Sequence, residues 1–469
     1  MTCERLPVMP LPFHLVTLTH ATWGQALTCA RSLGPGALPE LRLDLFPEAD
    51  PGDLVRALGG RCLVTCRRQS EGGRWPDEDE AGRLAYLLRA VAAGPTWVDL
   101  EWDLPVPPEL QAARPGVGLL RSVHVAPGVF DLDQRLAALP EGDAFKWVGW
   151  AGRLGDNGRL RPALAWARNQ GVALSAFLMG PKGLPSRAMQ GAWGGAFTYA
   201  APDDGPAAAP GQLPLATLRA WRCAQLGQSH GLCGVIGDPV LHSRGPAFHN
   251  PRFQKAFKNL VYLPLVCGDA DEAAEALEAL GILGLSITAP LKLTLPRALG
   301  QEGPLNTLWR RSLGEPWQGA NTDAEALGQA LSQLEPGPVL LLGGGGVGRT
   351  SRAVLEAAGR PVLQASRQAP VAPGVVTAFA PVGVMQATSL GMKPEDPPPF
   401  PELLEAALPS ARWAMEWIYK EDTAFAAWAR QAGLELVSGA ALFDAQAEAQ
   451  SRRFLTDCAG ASRQPTADS

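Results

Sequence analysis

The sequence predicts a closed (β/α)8 barrel followed by a second, two-part α/β unit, and three features predict it. Eight short apolar runs, roughly 20–30 residues apart and separated by Ala/Leu-rich stretches, fill the first part of the chain. A Pro/Ala/Gly-rich stretch at 201–212 closes that series. Much further on, an apolar strand at 339–342 runs straight into Gly343-Gly344-Gly345-Gly346-Val347-Gly348-Arg349 and then into a helix. That is how a nucleotide-binding βαβ unit opens.

The eight runs are 15–18, 38–44, 62–66, 97–101, 118–124, 145–149, 173–179 and 196–199. Helical patterns fill most gaps, as at 79–93 and 132–139. An open doubly wound sheet gives the same periodicity, so period alone leaves both arrangements open. A helical segment at 215–225 precedes a boundary placed at 227–231. Residues 232–334 carry their own βαβ signals, a helix is expected at 350–358 and a strand at 362–365, and 459–469 reads as a polar tail. At roughly 150 residues per domain, 469 residues imply about three domains.

Composition narrows the class. Hydrophobic residues make up 46% and charged residues 19%, which suits packed cores and excludes disorder. With 41 basic and 46 acidic residues the net charge is -5, so no nucleic-acid surface is expected. Eight scattered cysteines, Cys3 among them, form no C-x-x-C and do not group with the six histidines along the chain; no metal site or disulfide framework is expected. The N-terminus has no long apolar segment, and no run of about 18 apolar residues occurs, so neither signal peptide nor membrane span is expected. The expectation is a soluble, cytoplasmic protein.

In the first half, charged residues stand at the ends of predicted strands: Glu40, Arg42, Arg67, Glu71, Asp99, Glu101, His124, Lys146 and Arg187. In a barrel those ends meet at one mouth. Lys146 lies in the apolar run Ala144-Phe145-Lys146-Trp147-Val148, which points it inward. A buried lysine without a fixed partner loses basicity and can attack a carbonyl as a neutral amine. The alternatives are a snorkelling lysine or one paired with Glu101. His124 ends the preceding strand and is a candidate general base, although a lone histidine also serves as a structural hydrogen-bonder.

This half resembles type I 3-dehydroquinate dehydratase. The resemblance rests on Glu40-Leu41-Arg42-Leu43-Asp44, Thr65-Cys66-Arg67 with Glu71-Gly72-Gly73, Val98-Asp99-Leu100-Glu101, His124, Lys146, Met179 with Ser186-Arg187, and Ala209-Pro210-Gly211-Gln212. It implies that Lys146 forms a Schiff base with the ketone of 3-dehydroquinate. His124 would then move the proton, Glu71 orient the imidazole and Arg187 clamp the substrate carboxylate. Glu40, Arg42, Arg67 and Gln212 would bind hydroxyls or support the site, with no metal. Val125, Phe177 and Ala208 depart from the family pattern.

In the second half, polar residues cluster just after apolar strands, which suits a small hydroxylated ligand. Lys292 and Asp323 are candidates for a proton-transfer pair or an ordinary surface ion pair. The strand ending Gln364-Ala365-Ser366-Arg367 has no acid for a ribose 2′-hydroxyl; Arg367 suits a 2′-phosphate, favouring NADP over NAD.

This half is similar to shikimate dehydrogenase over nearly its whole length. The matching residues are Gly237 and His242-Ser243, Thr288-x-Pro290-x-Lys292, Asn306-Thr307, Asn321-Thr322-Asp323, the turn 343–349, Ser366-Arg367, Ala387-Thr388-Ser389, Tyr419, and Gly439 with Gln446. The resemblance implies that Lys292 and Asp323 serve reduction of 3-dehydroshikimate by NADP(H). Ser243, Thr288, Asn306, Tyr419 and Gln446 would hold the substrate. Gly344, Gly345, Gly346, Val347, Gly348, Arg349, Ser366, Arg367, Thr388 and Gly439 would hold the cofactor. Two departures are Ser286, where the family has Asn, and Gly245, where it has a second loop serine. Gly245 is expected to open space beside the substrate's C1, which keeps a quinate-preferring dehydrogenase as the competing reading.

The expected domains are therefore a dehydratase barrel at 1–226, a substrate-binding domain at 231–323 completed by 440–460, and an NADP-binding Rossmann domain at 324–439. Together they imply two successive steps of the shikimate pathway on small-molecule substrates, with a homodimer as one compatible assembly. A catalytically dead metabolite sensor is the competing reading from another class; a sensor needs no Schiff-base lysine.

Overall fold

The computed structural model describes residues 10–393, 395–420 and 423–458. Cys3, the residues before 10 and the expected tail 459–469 lie outside them. Two compact units result, one of residues 10–283 with 288–291 and the other of 284–287 with 292–458.

The first unit opens with eight parallel strands: β1 His14–Thr17, β2 Ala37–Arg42, β3 Leu63–Thr65, β4 Trp97–Glu101, β5 Gly118–His124, β6 Ala144–Trp150, β7 Leu174–Met179 and β8 Thr198–Ala200. Each neighbours the next in sequence, and β8 returns to pair with β1. Between β7 and β8 the seam is bridged by a backbone bond from the Ala196 N–H to the Leu174 carbonyl at 2.8 Å. The predicted barrel is present, and the open-sheet alternative is not.

Strand period explains why this barrel has a charged layer on an apolar plug. Side chains two apart share a face. Leu38, Glu40 and Arg42 follow one another up β2; Trp97, Asp99 and Glu101 up β4; Leu120, Ser122 and His124 up β5; Ala144, Lys146 and Val148 up β6. The lowest of each set, with Leu15, Leu63, Phe177 and Tyr199, pack as one apolar cluster. A second cluster, including Val64, Leu87, Val98, Leu100 and Leu119, fills the space between strands and outer helices.

The same unit continues into β9 Gly231–Gly237 and β10 Leu260–Val266, paired in parallel from Gly231↔Leu260 onward. The helix Ala270–Leu280 that follows β10 packs on the turn Leu154–Leu160 after β6. A Cβ at Gly158 would stand 2.5 Å from the Ala279 carbonyl oxygen, so only glycine fits that approach. Polar contacts ring it. Arg153 binds Glu275 at 2.6 Å, Lys182 binds Glu272 at 2.8 Å, and the Leu154 N–H donates to Glu272 at 2.7 Å.

In the second unit, residues 284–286 of β11 (Ile282–Ile287) pair antiparallel with β12 Thr307–Trp309, which pairs with β13 Gln318–Ala320. A parallel five-stranded sheet follows. Its strands are β14 Val339–Leu342, β15 Val362–Ala365, β16 Gly383–Gln386, β17 Trp413–Glu416 and β18 Glu435–Val437, in the order β15-β14-β16-β17-β18. The chain leaves β14 to one side for β15 and to the other for β16, which opens a crevice at their carboxyl ends. The helix after β14 runs over Gly346–Ala357, four residues earlier than its expected start at 350. Glycine's poor helix propensity hid those residues. Gly345 caps the helix, and a Cβ at Gly348 would meet the Gly343 carbonyl oxygen at 2.4 Å, so the first turn lies against the strand end.

Candidate active sites

The barrel mouth holds a cavity of about 530 Å³ lined by Glu40, Arg42, Arg67, Glu71, His124, Lys146, Arg187 and Gln212. All eight residues expected of this half converge there. Asp99 and Glu101 do not line it. They lie beneath, where Arg67 donates to Asp99 at 2.5 Å and to Glu101 at 3.2 Å, and Arg83 donates to Glu101 at 2.8 Å. Glu101 is thus committed to two arginines, and the Lys146–Glu101 pairing is excluded.

Lys146 is 5% exposed, with no carboxylate at ion-pair distance among the described residues. Its ammonium instead stands 4.1 Å from the centre of the Tyr199 ring. Burial is the main cause that brings its pKa down to about 8; Glu40 works the other way, and Arg67 adds to the fall.

Beside it His124 Nδ1 lies 2.9 Å from Glu71 Oε2. Burial first, then the charges of Lys146 and Arg67, lower the imidazole to about 3, so it is a neutral base at physiological pH. Burial alone would raise the Glu71 carboxyl, but the His124 hydrogen bond and the Arg67 charge hold it well below the usual carboxylate range. Arg67 and Arg68 donate to the same carboxylate at 3.1 and 2.9 Å. Glu71 is therefore a fixed anion that sets the ring's orientation.

Arg187 is the odd cation. It is 2% exposed, its Nε and one terminal nitrogen have no partner, and burial lowers its pKa to about 9. Its guanidinium lies 4.4 Å from the Phe177 ring centre, so the departure at 177 supplies a π face. A buried guanidinium without an anion is costly unless a ligand brings one. The remaining polar residues are anchored. Arg42 grips Asp44 through two bonds of 2.8 and 2.6 Å, Glu40 accepts from Thr17 and Thr65, and Gln212 reaches Thr17 at 3.3 Å while accepting the Ala208 N–H. Arg187 itself sits in the short helix Leu184–Ala188 rather than at a strand end.

Sequence reasoning missed Tyr199 and Arg83. An aromatic in a strand reads as core, and nothing local marks Arg83, a helix residue, as the partner of a β4 carboxylate.

In the second unit Lys292 Nζ and Asp323 Oδ2 are 2.6 Å apart, with side chains 39% and 20% exposed. Asp323 is held in the first turn of the helix Thr322–Leu331, which Asn321 caps through the Ala324 N–H. Asn306 accepts from the Thr322 N–H at 2.7 Å, and the Thr322 hydroxyl reaches Gln446 at 3.3 Å. Gln450, also missed, ties Ser286 to Thr307 with bonds of 2.8 and 3.0 Å, so the Ser286 hydroxyl is used internally. Tyr419 is exposed beside the Phe443 ring. Thr388 stands just after β16, Gly439 opens the helix Gly439–Asp457, and Ser366 and the exposed Arg367 follow β15.

The first unit carries Ser243 and Thr288. Ser243 accepts the Gly245 N–H at 3.1 Å, and the Thr288 N–H donates to Ile236. Gly245 does not open space. A Cβ there would meet Tyr262 Cε1 at 2.8 Å and the Tyr262 oxygen at 3.3 Å, so the ring from β10 fills the room expected for an extra hydroxyl.

Comparison with known proteins gives two family matches, the second of which spans residues of both units. Residues 14–223 match the family profile of type I 3-dehydroquinase, and residues 235–301 that of the shikimate dehydrogenase substrate binding domain. A bifunctional 3-dehydroquinate dehydratase/shikimate dehydrogenase, chloroplastic, of Arabidopsis thaliana is 27% identical over 378 residues, covering 76% of this chain and 58% of that protein. The chain thus matches well under two thirds of that relative's length. Among solved structures, dehydroquinate dehydratase and shikimate dehydrogenase from S. pombe AroM is 20% identical, with 96% of each chain covered and a TM-score of 0.40. Shikimate dehydrogenase from Aquifex aeolicus is 24% identical, covering 50% of this chain and 95% of its own, with a TM-score of 0.43.

Proposed function

We propose that this chain, which carries a type I 3-dehydroquinase domain and a shikimate dehydrogenase substrate-binding domain, converts 3-dehydroquinate to 3-dehydroshikimate and then reduces that product to shikimate with NADP(H). The proposed partition is a barrel over 1–226, a substrate domain over 231–323 completed by 440–460, and a cofactor domain over 324–439.

The carrying observation is Lys146, buried beside the His124–Glu71 pair without a carboxylate of its own. Its amine attacks the substrate ketone and expels water to give an iminium. That cation withdraws electrons from the adjacent C–H bond. His124 takes the proton, and the electron pair left behind expels the hydroxyl, which leaves as water once His124 returns the proton; a water molecule then hydrolyses the iminium, releasing 3-dehydroshikimate and the free Lys146 amine. Glu71 keeps the ring aimed and stabilises it while protonated. Arg187 supplies the missing partner for the substrate carboxylate through a two-pronged bond. Arg42, Arg67, Glu40 and Gln212 complete the wall.

For the second step, the turn after β14 fits a dinucleotide. Four consecutive glycines would let the backbone approach a pyrophosphate, and the N–H groups opening the helix Gly346–Ala357 would hold it. Ser366 and Arg367 suit a 2′-phosphate, and Thr388 and Gly439 would complete the cofactor site. NADPH, when bound, supplies the hydride. Lys292 delivers a proton to the oxygen that becomes the new hydroxyl, and Asp323 holds the ammonium in place. Ser243, Thr288, Asn306, Tyr419 and Gln446 hold carboxylate and hydroxyls.

The test is one mixture of purified chain, 3-dehydroquinate and NADPH, with products identified by mass spectrometry. Shikimate is expected. Quinate as the product would overturn the second step, and accumulation of 3-dehydroquinate would overturn the first.

A further inference from the structure

Two donors nine residues apart near the start of the barrel meet a third from the segment after its last strand. His20 lies just beyond β1, Cys29 in the helix Trp23–Ser32, and Asp204 in the segment after β8. One ring nitrogen of His20, the Cys29 sulfur and an Asp204 carboxylate oxygen all lie within 4.8 Å of one another. His20 Nε2 is 3.0 Å from Asp204 Oδ1. His20 and Cys29 are buried, while the Asp204 side chain is 65% exposed. His20 Nδ1 has no hydrogen-bond partner, so no second bond fixes the tautomer against Nε2 offering its lone pair. Gly205 leaves that nitrogen open, since a Cβ there would crowd it at 3.2 Å.

We propose that His20, Cys29 and Asp204 form a binding site for a zinc-type divalent cation. The donor set is the reason. One imidazole, one thiolate and one carboxylate select zinc or cobalt over magnesium or calcium. Tetrahedral bonds of roughly 2.0–2.3 Å place donors roughly 3.3–3.8 Å apart, so closing the site takes shifts of about one ångström, available to an exposed carboxylate. Cys29 binds after losing its proton to solvent. Thiolate and carboxylate then balance the two positive charges, His20 contributes a neutral lone pair, and water takes the fourth position on the open side.

The cation would pin one loop to another. The segment that carries Asp204 also carries Ala208 and Gln212 to the cavity, and Thr19, next to His20, donates to the Pro206 carbonyl. The sequence hid the site because its acid comes from the opposite end of the barrel's strand series. Its existence does not depend on the reaction assigned to the cavity.

The full chain, stripped with a chelator and titrated with Co²⁺, tests it by absorbance. A thiolate-to-cobalt charge-transfer band with tetrahedral d–d bands should appear, saturate at one cobalt per chain and vanish on adding Zn²⁺. Cys29→Ser should abolish the charge-transfer band. His20→Gln and Asp204→Asn should each weaken cobalt binding at least about tenfold while leaving the fold's circular dichroism intact. No band in the unmodified chain, or a band that survives Cys29→Ser, would overturn the proposal.

Discussion

The two lysines assigned to chemistry stand in opposite surroundings. Lys146 is sealed inside a barrel, faces an aromatic ring and, among the described residues, has no carboxylate at ion-pair distance. Lys292 is two-fifths exposed and bonded to Asp323 at 2.6 Å. The difference matches two tasks. A nucleophilic amine must shed its proton, which burial without a counter-ion promotes. A proton relay must keep a proton ready and exchange it with solvent, which a paired, accessible ammonium permits. Under the proposed reaction the same residue type would serve two chemistries because the fold withholds a carboxylate in one place and supplies it in the other.

The sharpest way to break this comparison is to remove each lysine alone. Lys146→Ala should lower dehydration by on the order of 10⁴-fold or more and abolish the borohydride-trapped adduct, while reduction of added 3-dehydroshikimate continues. Lys292→Ala or Asp323→Ala should lower kcat for reduction by about 10²–10⁴-fold with cofactor binding retained and dehydration untouched. Steady-state assays of the two half-reactions read both. Cross-effects in either direction would end the division of labour.

Arg187 sharpens it from the side of stability. Arg187→Met should raise KM for 3-dehydroquinate by about 10–100-fold, the loss of a charged two-pronged bond. The ligand-free variant should unfold at higher temperature than the parent, because a buried cation without an anion has been removed. A lower midpoint would mean that the Phe177 contact already satisfies the guanidinium.

Acidity comes next. Dehydration should rise about tenfold per pH unit below about 8 and level off above it, as the Lys146 amine becomes neutral. His124, lowered to about 3, should not limit the rate at neutral pH. The unfolded chain holds the Lys146 proton up to its ordinary 10.5 and the folded chain releases it near 8. Stability should therefore climb with pH across that window, and Lys146→Ala should flatten the slope. Smallest of all, Tyr199→Leu should move the pH midpoint of borohydride trapping downward by less than about one unit, while Tyr199→Phe should leave it unchanged.

Much of this was legible in the sequence because it obeys short periods. Alternation along β2, β4, β5 and β6 announces both the plug and the charged layer, and Lys146 stands out as the one charge in its strand. The parts that were not legible depend on contacts between distant segments. Arg83 reaches Glu101 from an outer helix. Gln450 joins Ser286 to Thr307 from the last helix. Tyr262 fills the room beside Gly245 from the neighbouring strand. A missing side chain in sequence is a vacancy only if no neighbour moves in, and one-dimensional reading cannot show the neighbour.

The contact between Gly158 and Ala279 bears on how separable the parts of such a chain are. Cut after residue 226, the barrel would lose the helix Ala270–Leu280, bare Gly158 to water and leave Lys182 without Glu272. The loop anchored by that lysine lies between Met179 and Arg187, two residues of the cavity wall. A barrel expressed alone would therefore inherit a loosened rim, and the chain beyond residue 226 is part of what shapes the cavity wall.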